Sequence, residues 1–208
     1  MNIYDISQEV LRCAVYPGDP APKRVVLQDM ERGDLYNLSS FQMCNHNGTH
    51  VDAPAHFLRD GATVDKVDLT AYVGLSYVAE HSGAVMAADA QRILDRARTA
   101  DKEAARRILI RGDCVVSAEA AQVFADAGLL LLGNESQSVG PEDAPMEVHK
   151  ILLKRGVVLL EGIRLSGVPE GVYLLSAAPL NIAGAEGSPC RAVLIDLAPE
   201  RREDGYEN

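Results

Sequence analysis

Tryptophan is absent from this chain, and basic residues are in deficit. Lysine and arginine total 20 against 30 aspartates and glutamates, a formal charge of −10. That balance argues against nucleic acid or an anionic membrane surface as a partner. Long apolar runs are missing as well. None approaches the roughly 20 residues that a bilayer-spanning helix needs, so no membrane segment is expected. The opening Met1-Asn2-Ile3-Tyr4-Asp5 has neither a basic stretch nor an apolar signal core, and a cytoplasmic protein is expected. Cysteine is scarce: Cys13, Cys44, Cys114 and Cys190 include no CxxC pair, and the chain is too long to depend on disulfide staples. Cys44 reads as a small buried thiol on the strand entering the loop that follows it. Cys114 and Cys190 flank apolar strands and read the same way. Repeats, low-complexity segments and linkers are also lacking. The 208 residues have ordinary globular composition, 47% hydrophobic and 24% charged, which predicts one domain spanning 1–208.

What is present is concentrated. Three of the five histidines fall in His46-Asn47-Gly48-Thr49-His50-Val51-Asp52-Ala53-Pro54-Ala55-His56. Imidazole nitrogen and carboxylate oxygen are what Zn²⁺ or Mn²⁺ take from a protein. His46, His50, Asp52 and His56 are separated by even offsets, so extended backbone presents all four on one face. Gly48 and Pro54 oppose a continuous helix. The spacing predicts a strand running into a structured loop, and the cluster marks a metal site.

Around this segment the pattern predicts short strands over 3–6, 24–28, 35–43 and 75–80, with a turn at 16–20. Ala90, Ile93, Leu94 and Ala97 at helical spacing predict a helix over 89–100, capped by Asp89. Strand and helix then alternate. Strands are predicted over 108–110, 129–132, 157–161, 172–177 and 192–197. Helices are predicted over 117–127, starting at an N-cap Ser117, and over 145–154. Alternation with four-residue apolar runs indicates parallel pairing inside a mixed sheet. The strands at the front suggest a second, antiparallel β element. An α/β domain with a mixed sheet follows.

Two later residues belong beside the first cluster. His149 lies on the helix predicted over 145–154, and Glu161 ends the apolar strand Val157-Val158-Leu159-Leu160. Strand C-termini are where α/β folds place ligand and catalytic groups. Desolvating an unpaired carboxylate there costs several kcal/mol, which either a lysine or arginine partner or a metal would offset. A helix histidine alone is most often solvated. Together the two would complete a second metal position.

The run His46-x-Gly48-Thr49-His50-x-Asp52-x-Pro54-x-His56 resembles the signature of the metal-dependent cyclase-like hydrolases. That family includes bacterial kynurenine formamidases (arylformamidases) and isatin hydrolases. Asp5-Ile6-Ser7 is similar to the family's start, and Tyr16-Pro17-Gly18-Asp19 resembles its Trp-Pro-Gly-Asp turn. The stretch from His149 through Leu160-Glu161-Gly162-Ile163, Ala178-Pro179-Leu180 and Ser188-Pro189-Cys190-Arg191-Ala192-Val193 resembles the formamidase C-terminal half. The resemblance implies a swivelling β/β/α fold and a homodimer or higher oligomer. It also implies two divalent ions per chain, Zn²⁺ foremost with Mn²⁺ as the alternative. One ion would be bound by His46, His50 and Asp52, and a second with the help of His149 and Glu161, the two carboxylates being shared. His56 would be the proton donor and acceptor.

Two departures bear on the substrate and leave the metals untouched. Tyr16 stands where the formamidases carry a tryptophan that contacts an aromatic substrate. In Gly133-Asn134-Glu135-Ser136-Gln137-Ser138-Val139-Gly140, Glu135 and Gly140 stand where the family usually has aspartates. The reading from sequence is an amide hydrolase acting on N-formylkynurenine or a similar N-acyl aniline, a small aromatic amide lying against Tyr16. Opening of a cyclic amide or a lactone, as in isatin hydrolases, is the alternative. A metal-binding module without catalysis is a third reading. His56 speaks against it, because a structural zinc site is closed by four ligands and needs no spare base.

Overall fold

The computed structural model describes residues 1–197; the end of the predicted domain, 198–208, lies outside the described residues. The strands are β1 (Asn2–Asp5), β2 (Lys23–Gln28), β3 (Leu38–Gln42), β4 (His50–Asp52), β5 (Val73–Glu80), β6 (Gly83–Val85) and β7 (Arg107–Arg111). They continue with β8 (Cys114–Val116), β9 (Leu131–Asn134), β10 (Val158–Glu161), β11 (Gly171–Ser176), β12 (Gly187–Pro189) and β13 (Val193–Asp196). Three α-helices intervene: α1 (Ala87–Ala100), α2 (Ala118–Asp126) and α3 (Met146–Lys154).

Side-chain alternation on the central strands explains the layering. Ile108 and Ile110 face one core cluster while Leu109 faces another, and Leu159 and Leu160 divide the same way. The period of two means that both faces of the sheet are buried. Helices cover one face with Ile93, Leu94, Phe124 and Leu152. The other core joins Val51 of β4 to Leu175 of β11 and Leu194 of β13, so the sheet curls until distant strands share one interior. Its nine strands run in the order β1-β13-β11-β5-β7-β9-β10-β4-β12. The β5-β7-β9-β10 section is parallel and the flanks are antiparallel. This is the expected mixed-sheet α/β architecture.

Several expected boundaries move for local reasons. Asp89 is not the N-cap of α1. Met86 takes that place, and the Asp89 carboxylate reaches back to accept from the Met86 N–H at 3.0 Å. Ser117 does cap α2, its Oγ accepting from the Ala120 N–H at 3.1 Å. The predicted strand over 35–43 shrinks to β3, which forms with β2 a two-stranded ribbon outside the main sheet. Cys44 lies beyond the end of that strand and is only partly buried. No helix among the described residues is long and apolar enough to cross a membrane.

Candidate metal centre

The histidine segment is not one extended face. Gly48, at φ +65°, turns the chain, β4 follows, and Pro54 opens a 3-10 turn ending at His56. Within β4 the alternation is as expected: Val51 enters the apolar core while His50 and Asp52 share the opposite face. Pairing with β10 sets Glu161 opposite His50 and Leu159 opposite Asp52. Thr49 serves the loop. Its Oγ1 donates to Gly162 O at 2.8 Å and accepts from the Gln8 N–H at 2.9 Å. His149, on the first turns of α3, comes down on the same face.

Two clusters of metal-ligand type result, His46–His50–Asp52 and Asp52–His149–Glu161, the chosen ligand atoms of each lying within 4.8 Å of one another. Asp52 belongs to both. His46 Nδ1 is 2.9 Å from Asp52 Oδ1. His50 Nε2 stands 3.5 Å from the same oxygen and 3.3 Å from Glu161 Oε2. His149 Nε2 stands 3.2 Å from Glu161 Oε1 and 3.5 Å from Asp52 Oδ2. His50, Asp52, His149 and Glu161 are each at most 3% exposed. Asp52 Oδ2 is sealed from solvent and has no hydrogen-bond partner, an arrangement that disfavours a bare carboxylate and that a divalent cation would satisfy. The nitrogen and oxygen donors suit Zn²⁺ or Mn²⁺.

The electrostatics agree. Burial alone would lower the pKa of His46, yet the hydrogen bond and charge of Asp52, with Glu186 and Glu161 nearby, raise it to about 9. His149 rises to about 10 against its own desolvation, through Asp52 and Glu161. Burial opposes the charged form of Asp52, but the neighbouring imidazoles of His149 and His46 hold its carboxyl well below the usual range. The cluster draws positive charge. His56 behaves differently: burial lowers its pKa, and the neighbouring His46 and His149 push the same way.

Beside the ligand face opens a cavity of about 240 Å³, lined in part by Tyr16, Cys44, His56, Phe57, Gln137 and Ser138. His56 is in neither ligand cluster. Its ring stacks on His46 at a centroid distance of 4.1 Å and meets Phe57 edge-on at 4.4 Å. Tyr16 sits in the expected turn, closed by Asp19 N–H donating to Tyr16 O at 3.0 Å. Its hydroxyl donates to Glu142 O at 2.6 Å, tying the turn to the loop before α3. Glu135 points away from this cavity and joins two chain segments, its oxygens accepting from the Gly112 and Leu165 N–H groups at 2.8 and 2.9 Å. Gly140 lets that loop press on α3, where a Cβ would stand 3.0 Å from Val148 Cβ.

Sequence reasoning missed three participants. Glu186 Oε1 lies 3.2 Å from His46 Nε2. Gln137 Nε2 donates to Gly48 O at 2.9 Å. The Ser138 Oγ is buried at the cavity wall with no hydrogen-bond partner. Hydrophobic periodicity finds none of these, since all three lie between the strongly patterned elements.

A family model described as a putative cyclase matches residues 4–141, the whole histidine segment included. The chain belongs to this family. A kynurenine formamidase from Salinibacter ruber is 35% identical over 218 residues, covering 96% of this chain and 100% of that protein. A second from Erythrobacter litoralis is 34% identical and covers 94% of each. A solved structure described as a potential metal-dependent hydrolase with cyclase activity matches with a TM-score of 0.78 at 26% identity, over 95% of this chain and 99% of the other. An isatin hydrolase bound to the product analogue thioisatinate matches with a TM-score of 0.76 at 16% identity, over 92% and 91%, which shows a common fold. The swivelling β/β/α type of fold expected for the family therefore holds.

Proposed function

We propose that this family member is a metal-dependent amide hydrolase acting in the cytoplasm on N-formylkynurenine or a similar N-acyl aniline. The observation that carries this reading is the pair of ligand clusters sharing Asp52 beside a cavity that also holds a histidine outside both. His46, His50 and Asp52 would hold one ion, and Asp52, His149 and Glu161 the other, with Zn²⁺ favoured and Mn²⁺ the alternative. The chemistry supplied by such ions is polarisation of an amide carbonyl and activation of water. His56 supplies the proton traffic. Burial and the neighbouring His46 and His149 favour its neutral form, so it can take a proton from the attacking water and return it to the departing aniline nitrogen. Phe57 and the stacked His46 ring hold the imidazole in place. A binding module without catalysis would need neither the cavity nor the extra histidine.

Hydrolysis assays on metal-loaded protein test the reading directly. N-formylkynurenine and simple N-formyl anilines are expected to turn over, with isatin and lactones slower. Efficient opening of isatin with no cleavage of N-formylkynurenine would move the protein to the cyclic-amide activity and leave its metal chemistry intact.

Tyr16 lines the same cavity, and its ring offers a stacking surface for an aniline. Such stacking is worth about 0.5–1.5 kcal/mol. Tyr16→Ala is therefore expected to lower kcat/KM roughly tenfold, mainly through KM. Tyr16→Phe keeps the ring and loses only the bond to Glu142. Equal damage by both substitutions would assign the residue to loop anchoring and remove it from substrate contact.

The β2–β3 ribbon supports a homodimer. It leaves Val26 and Phe41, which its register places on one face, and Leu35 in its connecting loop at 46, 60 and 93% exposed, an apolar surface suited to a second copy. Light scattering at micromolar concentration is expected to give at least a dimer, and Val26→Asp with Phe41→Asp to give monomers. A fully active parent monomer would refute this.

A further inference from the structure

His46 is held differently from the other two histidines of the centre. His50 and His149 each direct Nδ1 at a main-chain carbonyl, Gly48 O at 3.0 Å and Pro145 O at 2.8 Å. Both therefore present Nε2 to the cluster. His46 is reversed: Nδ1 faces Asp52 Oδ1 at 2.9 Å, and Nε2 turns outward to Glu186 Oε1 at 3.2 Å. That carboxylate oxygen is steadied by Asn45 Nδ2, also at 3.2 Å. The next residue, Gly187, makes the space in which the ring lies. A Cβ there would stand 2.4 Å from His46 Cε1 and 2.9 Å from Nε2, so any side chain at this position would force the ring to move. Strand β12 fixes both residues against β4: Gly187 is the register partner of Asp52, and Glu186 O accepts from the Ala53 N–H at 2.9 Å. A strand that contributes no ligand thus carries a socket for one.

Resting on the reading of this centre as a metal site, we infer that Glu186 is a positioning residue for His46. A neutral imidazole has one protonated and one free nitrogen. A carboxylate acceptor at Nε2 keeps the proton there and leaves the Nδ1 lone pair facing the position shared with His50 and Asp52. The negative charge also makes Nδ1 a stronger donor, as carboxylate–histidine pairs do at metal centres. His46 is the one histidine of the three whose orienting partner carries charge. Because the Glu186 side chain is 42% exposed at the rim, it can be replaced without opening the core.

Metal binding, read without reference to turnover, tests this. Chelator-stripped parent, E186Q and E186A are titrated with Zn²⁺ against a chromophoric chelator, and with Co²⁺ to read ligand geometry from its absorption. E186A is expected to weaken the His46-containing position roughly 10–100-fold while sparing the Asp52–His149–Glu161 position. E186Q, which keeps an acceptor without the charge, falls between. The metal-free unfolding midpoint stays where it was in the parent. G187A is expected to weaken the same position with Glu186 intact, because the added methyl displaces the ring. Unchanged Zn²⁺ affinity in E186A overturns the role of Glu186 while the centre stands. Equal weakening at both positions with an early-melting metal-free protein, in E186Q as well as E186A, makes Glu186 a fold residue and also overturns it. A parent that takes up no Zn²⁺ removes the centre and this role together.

Discussion

His56→Ala is expected to keep its metal and lose turnover by roughly 10²–10⁴, the range for a missing general acid–base group. The separation of these two effects comes from geometry. His56 lines the cavity but stands outside both ligand clusters, touching His46 through ring stacking at 4.1 Å. Removing it takes away a proton carrier and one face of packing, and leaves all five proposed ligands in place. Elemental analysis beside single-turnover kinetics reads both quantities on one sample. An emptied site in His56→Ala would make this histidine a ligand and leave the reaction without an assigned base.

Asp52→Ala is expected to abolish activity and to empty both metal positions, because one side chain serves both clusters. Zinc binding by four protein ligands is worth about 10–16 kcal/mol, or roughly 2.5–4 kcal/mol per ligand. Loss of the shared carboxylate therefore weakens each position by roughly 10²–10³. His149→Ala should weaken only one. Metal content of the two variants distinguishes them, since the parent is expected to carry two ions per chain, Asp52→Ala close to none and His149→Ala close to one. Retention of one tightly held ion by Asp52→Ala would show that the clusters do not share this residue.

The parts legible in sequence were those written in local pattern. Apolar runs at Ile108-Leu109-Ile110 and Val158-Leu159-Leu160 gave the parallel strands, because a buried strand is coded within a few residues. Ser117 announced α2 through its own side chain. The candidate ligand set was legible in the even spacing of His50 and Asp52 and in a carboxylate at the end of β10. What escaped depends on tertiary pairing. β6 and β12 are three residues each, too short to display a period. Glu186 meets His46 only because β12 pairs with β4, and nothing near residue 186 in the chain signals that partner. The histidine segment itself departs from the extended shape that its spacing predicts: the turn at Gly48 and the 3-10 turn at Pro54 bring His46 and His56 in from either side of a strand of three residues. The candidate ligands converge although the backbone does not stay extended.

The placement of β4 also has a consequence for how the molecule assembles. It is a three-residue strand held between β10 and β12, at one end of the sheet order, and each neighbour comes from a remote part of the chain. Contacts of such long separation are late events in folding, since loop-closure entropy must be met before they give any return. An ion finds its complete ligand set only after that edge has docked. Bound there, it would act as a latch on that edge, slowing the opening of the native chain rather than hastening its formation. Amide exchange in β4 and β12 is where withdrawal of the latch registers first.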